Sequence, residues 1–138
     1  MAQPRRINLF LYGLFMDEAA LRSKGLNPIN PRRASVPGMS LRIGNRATLL
    51  ADPAGTAHGI VTELTHSEID QLYSEPSVAI YRAEAVIAQP TDGAQTPALC
   101  FNLPTAPSSR EANPEYAQQL RELGRKLGLP HDYIESIK

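Results

Sequence analysis

One acidic residue of this 138-residue chain stands in a context that favours proton transfer. Glu75 follows Leu72, Tyr73 and Ser74 and precedes an apolar run at residues 78–81. Burial of a carboxylate among apolar and aromatic groups disfavours its charged form and raises its pKa toward the value that a general base needs near neutral pH. Exposure to water on a loop is the alternative, and it is the commoner position for a glutamate. Glu75 is therefore a candidate proton carrier, with the exposed position left open.

A second feature with chemical potential is the 12–16 loop, which consists of Tyr12, Gly13, Leu14, Phe15 and Met16. It lies between a predicted strand and a predicted helix. Amides at a helix start are unpaired and are reinforced by the helix dipole, so they stabilise a carboxylate or a developing oxyanion. An ordinary strand-to-helix connection is the alternative. The loop is thus a candidate substrate-binding element.

Other site types are not indicated by the sequence. His58, His66 and His131 lack metal-binding spacing, so we expect no metal. The single cysteine, Cys100, cannot form an internal disulfide, and its apolar neighbours predict a core position. No serine-hydrolase elbow, Walker loop or dinucleotide fingerprint occurs, so we expect no cofactor.

The charge balance also narrows the range of partners. Fourteen basic and fourteen acidic side chains cancel, so no net field attracts nucleic acid or anionic lipid. The apolar run at residues 7–12 is too short for a signal-peptide core or a membrane span. We therefore expect a cytoplasmic protein that binds neither nucleic acid nor membrane. The chain length is typical of one domain, 1–138, and the oligomeric state is not predicted.

Hydrophobic patterning and turn residues predict the elements that must position these residues. Strands are predicted at residues 7–12, 33–36, 39–43, 47–50, 58–64, 81–88 and 96–103. Helices are predicted from Asp17 to Gly25, from the Thr65–Glu68 capping box to Tyr73, over 114–127, and as a last turn at 132–137. The four strands between 33 and 64 form a predicted meander.

Several segments, taken in order, resemble the γ-glutamylcyclotransferase-like family, including its AIG2-like branch. The 12–16 loop is similar to the family's Tyr-Gly-Ser/Thr-x-Leu/Met loop, and Glu75 corresponds to the family's catalytic acid. The other similar segments are residues 37–42, 58–65, 81–86, 92–93, 113–116 and 128–133. Each segment is weak evidence alone, but their order is specific.

The resemblance implies an α+β fold: a small, mixed, curved sheet or barrel with peripheral helices. It also implies cleavage of a small-molecule γ-glutamyl substrate by internal cyclisation to 5-oxoproline with release of an amine. Glu75 would serve as general base and then general acid, and the 12–16 loop would hold the substrate. Tyr81 and Tyr133 are further candidates for lining the pocket, although a core position with a satisfied hydroxyl is the commoner role for such residues.

Two residues depart from the family pattern. Leu14 replaces the usual Ser or Thr, and Pro76 replaces the glycine that follows the acid. The first change removes a hydroxyl, and the second restricts the backbone and removes an amide donor. Two alternatives therefore stand beside cyclisation. One is a non-catalytic module of the same fold that binds a small carboxylate, and the other is an amide hydrolase on the same scaffold.

Overall fold

The computed structural model describes residues 4–138, and the first three residues of the predicted domain 1–138 lie outside the described part. Its strands are β1 (Arg6–Leu11), β2 (Ile29–Ile43), β3 (Ala47–Thr65), β4 (Arg82–Pro90) and β5 (Thr96–Asn102). Its α-helices are α1 (Glu18–Ser23), α2 (His66–Leu72), α3 (Pro114–Leu127) and α4 (His131–Ser136), and a 3-10 turn spans Leu14–Met16.

The strands close into a barrel in the order β1-β3-β2-β4-β5. Leu9 of β1 pairs with Leu99 of β5 in parallel, whereas the other strand pairs are antiparallel, so the sheet is mixed. Leu9, Phe10 and Val61 are almost completely buried and belong to the hydrophobic core, whose burial supplies the main stabilising free energy. The predicted α+β fold with a mixed, curved barrel and peripheral helices is confirmed.

The predicted meander of four short strands is wrong in its number of strands. β2 and β3 are two long strands that pair along most of their length. Pro37 pairs with Thr56 and Met39 pairs with Ala51, so the Pro-Gly pair and residues 52–55 form an irregularity within the hairpin. Gly38 adopts φ 85° there, a conformation that glycine tolerates best. The turn residues therefore bend the hairpin instead of ending its strands.

Local capping signals fix the helices next to the barrel. Thr65 accepts a hydrogen bond from the Glu68 amide at 3.2 Å, and the Thr65 amide donates to the Glu68 carboxylate at 2.9 Å. This capping box is the predicted one and starts α2. Asn113 caps α3, which ends at Gly128 with φ 79°. The predicted bounds of α3, 114–127, are confirmed. Within residues 4–138, no helix combines the length and apolarity needed to cross a membrane.

Candidate functional site

A cavity of about 620 Å³ opens where several connections of the barrel meet. It is lined by the end of β1 and most of the 12–16 loop, by residues 45–47 at the start of β3, and by the segment between α2 and β4. Lys24 after α1, Phe101 of β5 and Tyr116 of α3 complete the wall. The fold thus brings the two predicted features, Glu75 and the 12–16 loop, to one cavity.

The 12–16 loop turns tightly after β1. The Met16 amide donates to the Gly13 carbonyl at 3.0 Å, and the Leu14 amide donates to the Tyr116 hydroxyl at 3.1 Å. A Cβ atom at residue 13 would collide with that hydroxyl, which explains the need for glycine. The Phe15 amide has no acceptor among residues 4–138. It is the kind of unpaired donor that the start of a helical turn provides.

Glu75 begins a turn that follows α2. The Val78 amide donates to the Glu75 carbonyl at 3.0 Å, which makes Pro76 the second residue of this turn. Proline favours that position because its fixed φ suits the turn and its missing N–H is not needed there. The departure at Pro76 therefore stiffens the backbone that carries the acid.

The environment of the Glu75 side chain differs from the apolar one predicted from the sequence. Its carboxylate lies 2.7 Å from the Lys24 ammonium, and the two side chains are 40% and 29% exposed, respectively. Lys24 follows α1 and lies over the Phe15 ring, 5.7 Å from its centroid. The carboxylate therefore lines the cavity as half of an ion pair at its wall.

Aromatic side chains form the rest of the wall. Tyr73 stacks on Phe101 with ring centroids 3.9 Å apart, and Phe15 meets the Tyr73 ring edge-on at 6.0 Å. The Tyr12 hydroxyl donates to the Phe101 carbonyl at 2.7 Å, and the Tyr81 hydroxyl donates to the Ala47 carbonyl. This surface can hold the apolar part of a ligand.

The phenols of this wall stay protonated at neutral pH. Burial raises the pKa of Tyr81 to about 12, and it raises the pKa values of Tyr12 and Tyr73 further. Burial also raises the pKa of Tyr116. Tyr12 and Tyr81 use their protons for the carbonyls of Phe101 and Ala47, whereas the Tyr116 hydroxyl accepts from the Leu14 amide and keeps its proton for a ligand.

Tyr116, Lys24 and Arg46 are among the cavity residues that were not predicted as site residues from the sequence. Tyr116 falls within the predicted helix 114–127 and the similar segment 113–116, which assign it no role in the site, and no local pattern indicates Lys24 or Arg46. Arg46 is exposed, and its Nε donates to the Ser77 carbonyl at 2.8 Å. A tyrosine on a buried helix face was the one usable clue, since its hydroxyl needs a polar partner.

Two predicted site residues lie away from this cavity. Met16 is buried in the core and is only 4% exposed. Tyr133 packs its ring against His58 with centroids 4.8 Å apart, and it lines a second cavity of about 480 Å³ beside the end of β2. The structure therefore does not bring Tyr133 to Glu75, because α4 seats it against the barrel wall at β3.

The remaining reactive side chains form no further site near Glu75. Cys100 is buried, and burial raises the pKa of its thiol to about 12, so it stays protonated. Burial lowers the pKa of His58. Within the described part of the chain, no group of three or more His, Cys, Asp or Glu residues could hold a metal ion.

Comparison with known proteins identifies the fold. No protein-family model and no curated protein match the sequence. A solved structure of a gamma-glutamyl cyclotransferase superposes with a TM-score of 0.80 at 17% identity, covering 97% of this chain and 89% of that chain. The structure of YkqA from Bacillus subtilis gives 0.76 at 24% identity, covering 95% of this chain and 52% of the other.

An AIG2-like protein from Mus musculus also superposes, with a TM-score of 0.58 at 15% identity over 80% of this chain and 90% of that chain. These likenesses agree with the mixed barrel and the order of elements described above. The chain has the γ-glutamylcyclotransferase-like fold, which confirms the resemblance predicted from its motifs.

Proposed function

We propose that this protein cleaves a γ-glutamyl amide by intramolecular cyclisation and releases 5-oxoproline and a free amine. One observation carries the proposal: in this fold, Glu75 and residues 12–15 of the loop line the same cavity. A carboxylate and an unpaired amide, here that of Phe15, are the two groups that the reaction requires, one to move protons and the other to stabilise the oxyanion.

The Lys24–Glu75 pair suggests how the substrate enters. The ammonium of Lys24 already occupies the Glu75 carboxylate at 2.7 Å. The α-ammonium of a γ-glutamyl group is a cation of the same kind, so it replaces Lys24 there. Glu75 then accepts a proton from it, and the freed α-nitrogen attacks the γ-carbon.

The new C–N bond closes the five-membered ring, and the carbonyl oxygen becomes an oxyanion that the Phe15 amide stabilises. Glu75 returns its proton to the departing nitrogen as the original C–N bond breaks. The ring nitrogen loses its extra proton to solvent, which leaves 5-oxoproline and a neutral amine. Nucleophile and electrophile belong to one molecule, so the cavity has to fold the substrate rather than collect two reactants. Leu14 supplies no hydroxyl in this loop, but the Tyr116 hydroxyl lies 3.1 Å from its amide and provides one.

The test is a panel of γ-glutamyl amides with 5-oxoproline as the measured product. We expect release from at least one member and its loss when the α-amine is acetylated, because the nucleophile is then blocked. Continued cleavage of the acetylated substrate would mean that water is the nucleophile and would establish amide hydrolysis instead.

A non-catalytic carboxylate-binding module is the second candidate function. It is favoured because two groups of the site already have partners within the protein: Glu75 pairs with Lys24, and the Leu14 amide donates to the Tyr116 hydroxyl. Saturable binding of a γ-glutamyl compound without turnover of any panel member would support this alternative over the enzyme.

A further inference from the structure

Lys24 brings an ammonium group to the two features that the proposed reaction uses. Its Nζ donates to the Glu75 carboxylate at 2.7 Å and lies 5.7 Å from the centre of the Phe15 ring in the 12–16 loop. Lys24 also lines the cavity, and its side chain is 29% exposed. A ligand that binds Glu75 must therefore move this ammonium aside.

The backbone of Lys24 is fixed independently of the ion pair. Its amide donates to the Leu21 carbonyl at 3.1 Å at the end of α1, and its carbonyl accepts a hydrogen bond from the Gln71 side chain at 2.8 Å. Among residues 4–138, the ammonium itself donates only to Glu75. A lysine stem is flexible and its ammonium carries three rotatable donors, so the ammonium can leave Glu75 while the backbone stays in place.

A γ-glutamyl head group carries both charges of this ion pair on one carbon atom. When its α-ammonium replaces Lys24 on Glu75, its α-carboxylate comes to lie beside the same acid. The displaced ammonium starts in contact with that acid and can turn to the α-carboxylate. Arg46, the other cation of the described lining, forms no ion pair with Glu75. The exchange turns one ion pair into two and leaves the net charge of the site unchanged.

We infer that Lys24 exchanges partners when a substrate binds: its ammonium leaves Glu75 and pairs with the α-carboxylate of the glutamyl group. Lys24 then has two opposite effects on binding. It competes with every cationic ligand for Glu75, and it attracts those ligands that also carry an α-carboxylate. The inference rests on the proposed binding of the α-ammonium to Glu75, and it makes Lys24 a specificity-determining residue for that step.

Two compounds that differ by one carboxylate separate these effects. γ-Glutamylethylamide carries the α-carboxylate, whereas γ-aminobutyrylethylamide is the same molecule without it and cyclises to the corresponding lactam. Lys24→Met removes the charge and keeps most of the stem. Each compound is compared between the wild-type protein and the variant, so the difference in intrinsic reactivity between the two compounds cancels.

We expect changes of opposite sign in Lys24→Met. The kcat/KM of γ-glutamylethylamide should fall by about fivefold or more, because its carboxylate loses a charge-assisted partner. The kcat/KM of γ-aminobutyrylethylamide should rise by up to about fivefold, because a partly exposed ion pair no longer competes for Glu75. Lys24→Arg keeps the charge and should retain most of the wild-type preference for the compound with the carboxylate.

Lys126→Met is the matched control, since Lys126 is exposed on α3 outside the cavity lining; it should leave both values as they are. Equal changes for both compounds in Lys24→Met would refute the exchange, because a merely structural role moves them together. If Arg46→Gln instead selectively impairs γ-glutamylethylamide, the α-carboxylate lies on Arg46 and the inference is overturned.

Binding separates this inference from the proposed function. If the protein cyclises neither compound, the proposed reaction fails for them, but calorimetric titration of the wild-type protein and Lys24→Met with both compounds still measures the two effects. Weaker binding of γ-glutamylethylamide together with tighter binding of γ-aminobutyrylethylamide in the variant would support the exchange. Equal shifts, or undetectable binding of both compounds to the wild-type protein, would refute it.

Discussion

Replacing Glu75 with glutamine separates catalysis from stability because the two contributions differ in size. The substitution keeps the shape of the side chain and removes its charge and its basic oxygen. The ion pair that it breaks, Lys24–Glu75, joins side chains that are 29% and 40% exposed. Exposed pairs contribute about 0.2–1 kcal/mol, so the free energy of unfolding should fall by no more than that.

The catalytic loss should be much larger. A positioned general base or acid contributes roughly 10²–10⁴-fold in rate, and each tenfold corresponds to about 1.4 kcal/mol of activation free energy. We therefore expect Glu75→Gln to lower the rate of 5-oxoproline release at least about a hundredfold while the protein stays folded. The assays are product release and urea unfolding of the same preparations.

Glu18→Gln is the matched control for this experiment. Glu18 also pairs with a cation, Arg22 at 3.1 Å, with side chains 47% and 50% exposed, but it lies on α1 outside the cavity lining. Its loss should change stability by a similar small amount and leave the rate as it was. An unchanged rate in Glu75→Gln would refute the proposed role, and a collapse of folding in that variant would show that the pair is structural.

Three further outcomes follow from the structure. Gly13→Ala places a Cβ against the Tyr116 hydroxyl and should lower the free energy of unfolding, measured in urea, by about 1–3 kcal/mol. The loss should be smaller in a Tyr116→Phe background, where that hydroxyl is absent. Equal losses in both backgrounds would contradict this contact. Thr65→Ala removes the cap of α2 and should lower the free energy of unfolding by about 1 kcal/mol, and no change would show that the capping box is dispensable. Burial raises the pKa of Tyr81 from 10.0 to about 12. The stability that this residue contributes is therefore complete below pH 10 and is lost as the pH rises toward 12. Urea unfolding midpoints that stay constant between pH 10 and 12 would contradict this prediction.

The elements that could be predicted from the sequence are those set by neighbouring residues. The Thr65–Glu68 capping box and the Asn113 and Gly128 ends of α3 involve residues a few positions apart, and the structure contains all of them. The long strands β2 and β3 were missed because Pro37 and Gly38 are compatible with either a strand end or a bulge. Only the pairing of Pro37 with Thr56 decides between these, and that pairing depends on the closed sheet.

The site likewise has a part that could be predicted from neighbouring residues and a part that could not. The motifs identified Glu75 and the 12–16 loop as candidates, and the structure places that acid and the loop residues other than Met16 at one cavity. Lys24 lies 51 residues from Glu75, and Tyr116 lies 102 residues from Leu14, so no local pattern could indicate these contacts. The position of Tyr133 depended on the side of the barrel on which α4 packs, which its sequence neighbours do not encode.

The most direct test of cyclisation is the fate of solvent oxygen. The protein is incubated with a γ-glutamyl amide in ¹⁸O-labelled water, and the masses of the products are measured by mass spectrometry. Attack by the substrate's own amine predicts 5-oxoproline without the label. Labelled glutamate formed directly from the amide would contradict the account, because water would then have been the nucleophile.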